Sequence, residues 1–175
     1  QALEEIRKRE EHFRSMIENS TDIIIILAED GTCEYASPST ENILGFAVNE
    51  LVGKSVSGLL HPEDQLVLQE LISKDTWPAQ IDSFEVRVRS ASGAWLILEI
   101  RGKKAAIKKG QPRLILNCRD ITTQKQAKEA LNSLVELKNK AFANLNDAVF
   151  IVDYKTLKVI ECNQAACAMF GYTQE

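Results

Sequence analysis

Four cysteines, Cys33, Cys118, Cys162 and Cys167, and two histidines, His12 and His61, are the residues whose types could carry chemistry. A zinc centre needs Cys and His in tight pairs. No two of these cysteines form a Cys-x-x-Cys pair, and no histidine lies near any of them. Disulfide frameworks belong to small secreted domains, so thiols scattered through 175 residues read as reduced and cytosolic. Glu63 and Asp64 are adjacent acids, and the dipole of a helix N-terminus explains them without catalysis. Gly102-Lys103-Lys104 lacks the upstream glycine and the Ser or Thr of a phosphate loop. Both histidines sit in local contexts with structural explanations, so no Ser–His–Asp set can be argued. With no catalytic constellation, the chain is expected not to be an enzyme.

Charge excludes further classes. The net charge is -4, which gives no basic field for nucleic acid or for an anionic membrane surface. The longest apolar run, Ile23 to Ala28, is far too short to span a bilayer, and the start carries no signal-peptide pattern. A cytoplasmic chain is expected. Its abrupt start and stop read as those of a fragment, whose parent is free to be membrane-anchored elsewhere.

The elements that would position these residues follow from hydrophobic period. Residues 1–18 read as a helix with a coiled-coil-like seam of Leu3, Ile6, Phe13 and Ile17, interrupted by Glu10. Ile23–Leu27 is a β-branched run and reads as a buried strand. Glu29-Asp30-Gly31 turns it into the return strand Thr32–Ala36. Ser37 before Pro38 marks an N-cap, and a helix over 38–44 stops at Gly45. Short turns fill 47–60, and His61-Pro62-Glu63-Asp64 opens a helix over 63–74 that Trp77-Pro78 ends. Three strands follow: Ile81–Arg89, Trp95–Ala106 and Arg113–Ile121. Along the first of them Phe84, Val86 and Val88 share one face, and Glu85, Arg87 and Arg89 share the other, solvated one. The order strand-strand, short helices, then three strands predicts an α+β domain: a five-stranded antiparallel sheet with helices on one face.

From Thr123 the period is helical again, with Ala127, Leu131, Leu134, Ala141 and Leu145 in one stripe and Lys138 as its polar member. Beyond it the first strand region is repeated. Asn19-Ser20-Thr21-Asp22 is similar to Asn144-Leu145-Asn146-Asp147, an offset of 125 residues from Asn19 to Asn144. Ser37 corresponds to Asn163, and Leu44-Gly45-Phe46 to Phe170-Gly171-Tyr172. A repeat this long is a duplicated domain, and the second copy stops after two strands and a helix, too little to bury a core alone.

These motifs together resemble the PAS family with its C-terminal PAC region. Gly45-Phe46 resembles the family's helix-ending "GY/GF", and His61-Pro62-Glu63-Asp64 its "HPED" helix start. Ser92-Gly93-Ala94-Trp95 resembles a shortened "DGxxxW", and Arg119-Asp120-Ile121-Thr122 matches "RDIT". The resemblance divides the chain into a linker helix over 1–18, a PAS domain over 19–122, a signalling connector helix over 123–143 and the truncated start of a second PAS domain over 144–175. It implies a sensory module of bacterial signal transduction, in a histidine kinase or a cyclic-dinucleotide enzyme, with a two-component setting.

The resemblance also implies a pocket between the long helix and the sheet. Ile24, Ile26, Tyr35, Leu44, Leu68, Leu71, Ile72, Leu98 and Leu116 are its candidate lining, with Ile23 and Ile25 as the alternative parity of the first strand. The cofactor is left unassigned. A haem is not expected, because helix 63–74 carries no His to ligate it. An adduct-forming flavin is not expected either: Asn117-Cys118-Arg119 resembles the start of "NCRFLQ", but it lies on the last strand and the remainder is missing. Trp95 reads as packing against a flanking helix. Asp120, Ile121 and Thr122 would join the sheet to the connector helix, and Ala127, Leu131, Leu134 and Ala141 would pair it with a second copy in a homodimer. The expected partners are that second copy, a neighbouring PAS or output domain and a small-molecule ligand. The competing reading is a ligand-free PAS dimerisation scaffold.

Overall fold

The computed structural model describes residues 20–73, 81–108 and 111–171, with the four positions 4, 5, 7 and 17 before them. The expected linker helix over 1–18 otherwise lies outside the described residues, as do Trp77-Pro78. The chain divides into two compact units, Gln1–Thr123 and Gln124–Glu175.

In the first unit, strands β1 (Ile23–Leu27), β2 (Cys33–Ala36), β3 (Ile81–Arg89), β4 (Trp95–Lys108) and β5 (Gln111–Asp120) form a five-stranded sheet in the order β2-β1-β5-β4-β3. Every neighbouring pair is antiparallel. Gly31, at φ +80°, makes the tight turn into β2, and the Asp30 carboxylate accepts the Thr32 N–H at 2.9 Å. Short helices follow: α1 (Ser39–Ile43), α2 (Val48–Leu51), a 3₁₀ turn (Val56–Leu59) and α3 (Gln65–Ser73). They cover the sheet face that carries Ile25, Leu27, Val86, Val88, Leu98, Ile100, Leu116 and Cys118, which makes the α+β core.

Two helix starts differ from the sequence reading. Ser37 does not cap α1, which begins at Ser39 with Pro38 before it. Its hydroxyl instead accepts the Ile24 N–H at 2.9 Å, while its own N–H donates to the Ile24 carbonyl at 2.8 Å. The Ser37 side chain thus serves strand β1 rather than the helix end. Residues 62–64 form a turn rather than helix, closed by the N–H groups of Asp64 and Gln65 on the His61 carbonyl at 2.8 and 3.1 Å.

The second unit contains nearly all of helix α4 (Thr122–Ala143), strands β6 (Phe150–Val152) and β7 (Val159–Cys162), which pair antiparallel, and helix α5 (Gln164–Phe170). Here the cap is made: Asn163 Oδ1 accepts the Ala166 N–H at 3.0 Å and the Val149 N–H at 2.9 Å. The Asn163 N–H donates to the Val149 carbonyl at 3.1 Å. Ser37 with Ile24 and Asn163 with Val149 therefore make the same reciprocal bond at corresponding positions of the repeat. The longer amide of Asn163 has an extra reach that lets it cap its helix as well.

Candidate functional site

The described helices and sheet line a cavity of about 50 Å³. Its lining is entirely apolar in type. Ile25 and Leu27 come from β1, Phe84, Val86 and Val88 from β3, Leu98 and Ile100 from β4, and Leu116 and Cys118 from β5. Leu44, Leu51, Val56, Leu59, Leu60 and Leu68 close it from the helical side.

Of the expected lining, Leu44, Leu68, Leu98 and Leu116 are in the wall. The side chains of Leu71 and Ile72 lie outside the described residues. Ile24 and Ile26 are corrected: β1 buries Ile23, Ile25 and Leu27 and leaves those two half-buried on the opposite face. Tyr35 is corrected too. Along β2, Cys33 and Ala36 face inward, and a register shift sets Tyr35 opposite Ile26 on the outer face. Residues named only by their strand face in the sequence, Phe84, Val86 and Val88, belong to the wall.

Cys118 is buried in that wall, and desolvation pushes its thiol up to about 12, with the Asp22 charge adding to the effect. Burial likewise raises the Cys33 thiol. Both behave as small packing groups rather than nucleophiles. Among the described residues, no group of three or more His, Cys, Asp or Glu side chains is placed to hold a metal ion.

The exit from the sheet is tightly bonded. Asp120 Oδ1 accepts the Thr122 N–H at 2.8 Å and the Thr122 hydroxyl at 2.5 Å. Thr122 Oγ1 in turn accepts the Ile97 N–H at 2.9 Å, and the Ile121 N–H donates to the Ile97 carbonyl at 3.0 Å. Ile121 itself is buried. Strand β5 thus passes into helix α4 with one intervening residue, and both sides of that joint are fastened to β4, a strand of the cavity wall. Beyond it Ala127, Leu131, Leu134 and Ala141 are exposed along α4.

A further cluster, which the sequence reading left as solvated charge, ties the turn before α3 to edge strand β3. Arg87 bonds Asp64 through Nε and Nη2 at 3.0 and 2.7 Å and reaches Glu63 at 2.8 Å. It holds both carboxyls below the usual carboxylate range. His61 packs edge-on against the exposed Trp95, with ring centroids 5.1 Å apart. Trp95 therefore meets a histidine of the connecting turn in the described contact.

A helix-covered antiparallel sheet around an apolar cavity, with a helix following its last strand, is the architecture of a sensory domain of the PAS type. The chain belongs to the PAS family: the model described as the PAS fold matches residues 11–121, and a PAS domain model matches residues 136–175. It is similar to the blue light receptor lreA of Aspergillus flavus, at 32% identity over 110 residues, 58% of this chain and 13% of that protein. It is also similar to the white collar 1 protein of Neurospora crassa, at 28% identity over 83 residues, 47% of this chain and 7% of that protein. The chain thus spans only a small part of the curated relatives it matches. Both are fungal, so the bacterial setting implied by the sequence motifs is not carried by them.

Among solved structures, the PAS domain of an HTR-like protein from Haloarcula marismortui superposes with a TM-score of 0.62 at 22% identity, over 69% of this chain and 98% of that one. The Drosophila melanogaster Cycle PAS-B domain with bound ethylene glycol gives 0.51 at 17% identity, over 56% and 98%. These likenesses carry the fold. No described helix is long and apolar enough to cross a membrane.

Proposed function

We propose that residues 19–122 are a cytoplasmic regulatory module that reads a small apolar guest or a partner and passes its state through helix α4 to an output domain elsewhere in the parent. The observation that supports this most is the shared strand. Leu98 and Ile100 of β4 line the cavity, and Ile97 of the same strand holds Thr122 at the start of α4. A guest that displaces β4 moves the anchor of the helix. In this reading the connector pairs with a second copy through Ala127, Leu131, Leu134 and Ala141, and residues 144–175 begin a second PAS domain. The module is not itself an enzyme.

The ligand class follows from the wall. A cavity of about 50 Å³ is well below the roughly 300 Å³ at which drug-sized pockets begin, and the described residues of its wall are all apolar in type. The name of one fungal relative, the blue light receptor lreA, points to blue light, but the two cysteines of the first unit, Cys33 and Cys118, lie on strands rather than on a central helix. The guest is accordingly small and apolar. The same small volume favours a second reading, a ligand-free dimerisation scaffold whose own Leu and Ile side chains fill the pocket.

Native mass spectrometry with an ultraviolet-visible spectrum tests the proposal. A colourless protein that takes up a small apolar molecule, with altered amide exchange at Ile97 and Thr122, supports sensing. A Soret band near about 400 nm after expression with haem precursor, or a flavin spectrum, would overturn the ligand assignment. No uptake and no change at the joint would leave the scaffold reading in its place.

A further inference from the structure

Cys162, the last residue of β7, and Cys167, in α5, face each other with their sulfurs 3.4 Å apart. Both are partly exposed, whereas Cys33 and Cys118 are buried. A disulfide needs the sulfurs at about 2.05 Å, so the approach remaining is on the order of one ångström. Between the two cysteines sits Asn163, the buried hub of this unit. Its Nδ2 donates to the carbonyls of Asp147 and Leu145 at 2.8 and 3.3 Å, and its Oδ1 takes the N–H groups of Val149 and Ala166. The chain leaving α4, the start of β6 and the start of α5 all converge on this one side chain.

We propose that Cys162 and Cys167 form a reversible intramolecular disulfide, a redox modification site that takes low-molecular-weight disulfides such as oxidised glutathione as its oxidant. One cysteine thiolate attacks a sulfur of oxidised glutathione. The S–S bond of that molecule breaks, a mixed disulfide forms and one glutathione thiolate leaves. The second cysteine thiolate attacks the protein sulfur of the mixed disulfide, closes the Cys162–Cys167 bond and expels the second glutathione. Two electrons pass from the cysteine pair to the oxidant, and the two thiol protons end on two reduced glutathiones. The neighbouring Cys167 thiol, burial and the nearby charges of Cys167 and Glu161 hold the Cys162 thiol above its ordinary value, so the exchange speeds up as pH rises. The new bond brackets Asn163 and fixes the segment that receives the end of α4, which makes the site a lock on the second unit that is independent of the cavity in the first.

The test is oxidation of the full 175-residue chain with oxidised glutathione, followed by intact-mass and peptide mapping. The expected product has lost two hydrogens, links Cys162 to Cys167 and retains Cys33 and Cys118 as thiols. Cys162→Ser and Cys167→Ser should each stop at a single glutathione adduct instead. Cysteines this close in sequence also meet in an unfolded chain, so the exchange equilibrium is measured again in urea. The folded geometry predicts a constant at least about tenfold larger without urea, as a preorganised pair gives. Slower amide exchange at Val149 and Ala166 should accompany oxidation. Equal constants with and without urea, persistent double adducts, or chain-to-chain disulfides would overturn the proposal.

Discussion

The carboxylate of Asp64 accepts the backbone N–H of Arg87 at 2.7 Å while the guanidinium of the same residue grips it at 2.7 and 3.0 Å. The His61 N–H adds a bond to the Arg87 carbonyl at 2.9 Å, so the entry to α3 is stitched to β3 through one residue. Hydrogen bonds from Arg87 are the main cause that keeps Asp64 below its ordinary value of 3.8. A carboxyl with a depressed folded value contributes stability that is fully present above its unfolded value and is lost as pH falls through the folded one. Asp64→Asn should therefore lower the urea midpoint at neutral pH. The gap to wild type should narrow as pH falls below the ordinary value of 3.8 and the carboxyl protonates in the folded protein. A gap that persists undiminished through that range would mean that the carboxylate's charge contributes nothing to the tie.

The cavity predicts a second response. Leu68 is buried on α3 and forms part of the wall. Leu68→Ala should destabilise the first unit by about 2–5 kcal/mol, the range for a leucine removed from a core that cannot fully collapse. The enlarged space should then take up a small apolar molecule such as benzene and recover part of the loss. Urea unfolding with and without benzene measures both effects, and a loss below about 0.5 kcal/mol would place Leu68 outside the tightly packed wall.

Gly45 and Gly53 separate backbone cost from crowding. Their φ values are +76° and +82°, in the left-handed region that costs an L-residue roughly 1–2 kcal/mol. A Cβ added at Gly45 would lie 3.2 Å from the Cβ of Ala91, whereas one at Gly53 meets nothing within 4 Å. Gly45→Ala should thus be the more destabilising of the two. Adding Ala91→Gly should return the difference, leaving a coupling energy that a double-mutant cycle reads.

How much of this was legible in the sequence depended on contrast between faces. Phe84, Val86 and Val88 alternate with charged neighbours, so their common face could be read directly. In β1 four isoleucines precede Leu27, so a period of two leaves no trace and the side that faces the helices cannot be chosen. A register shift in β2 then turns Tyr35 outward, which composition does not signal. Arg87 looked solvated because its partners lie 23 and 24 residues earlier, in a turn whose acids had a sufficient local explanation. The end of β5 was legible for a different reason: Asp120 and Thr122 act on each other and on the next helix, and local bonds of that kind are written in adjacent residues.

That joint yields the last prediction. Asp120 holds the Thr122 N–H and hydroxyl, and the hydroxyl oxygen is thereby oriented to accept the Ile97 N–H. Asp120→Ala removes the first link of this chain without touching the cavity wall. The loss of one side-chain acceptor at a helix start costs about 1 kcal/mol, so the first unit should remain folded. Amide exchange should rise at Thr122 and Ile97 and stay unchanged at Ile25 and Leu116, whose bonds belong to the β1–β5 ladder. In the parent protein the output should no longer follow the state of the domain. Leu131→Glu with Leu134→Glu supplies the complementary case: both leucines are exposed on α4, and charging them should weaken self-association in sedimentation while leaving exchange at Thr122 as it was. Normal output from the Asp120→Ala parent, with an unchanged sedimentation profile in the double variant, would reduce the segment to a plain connector.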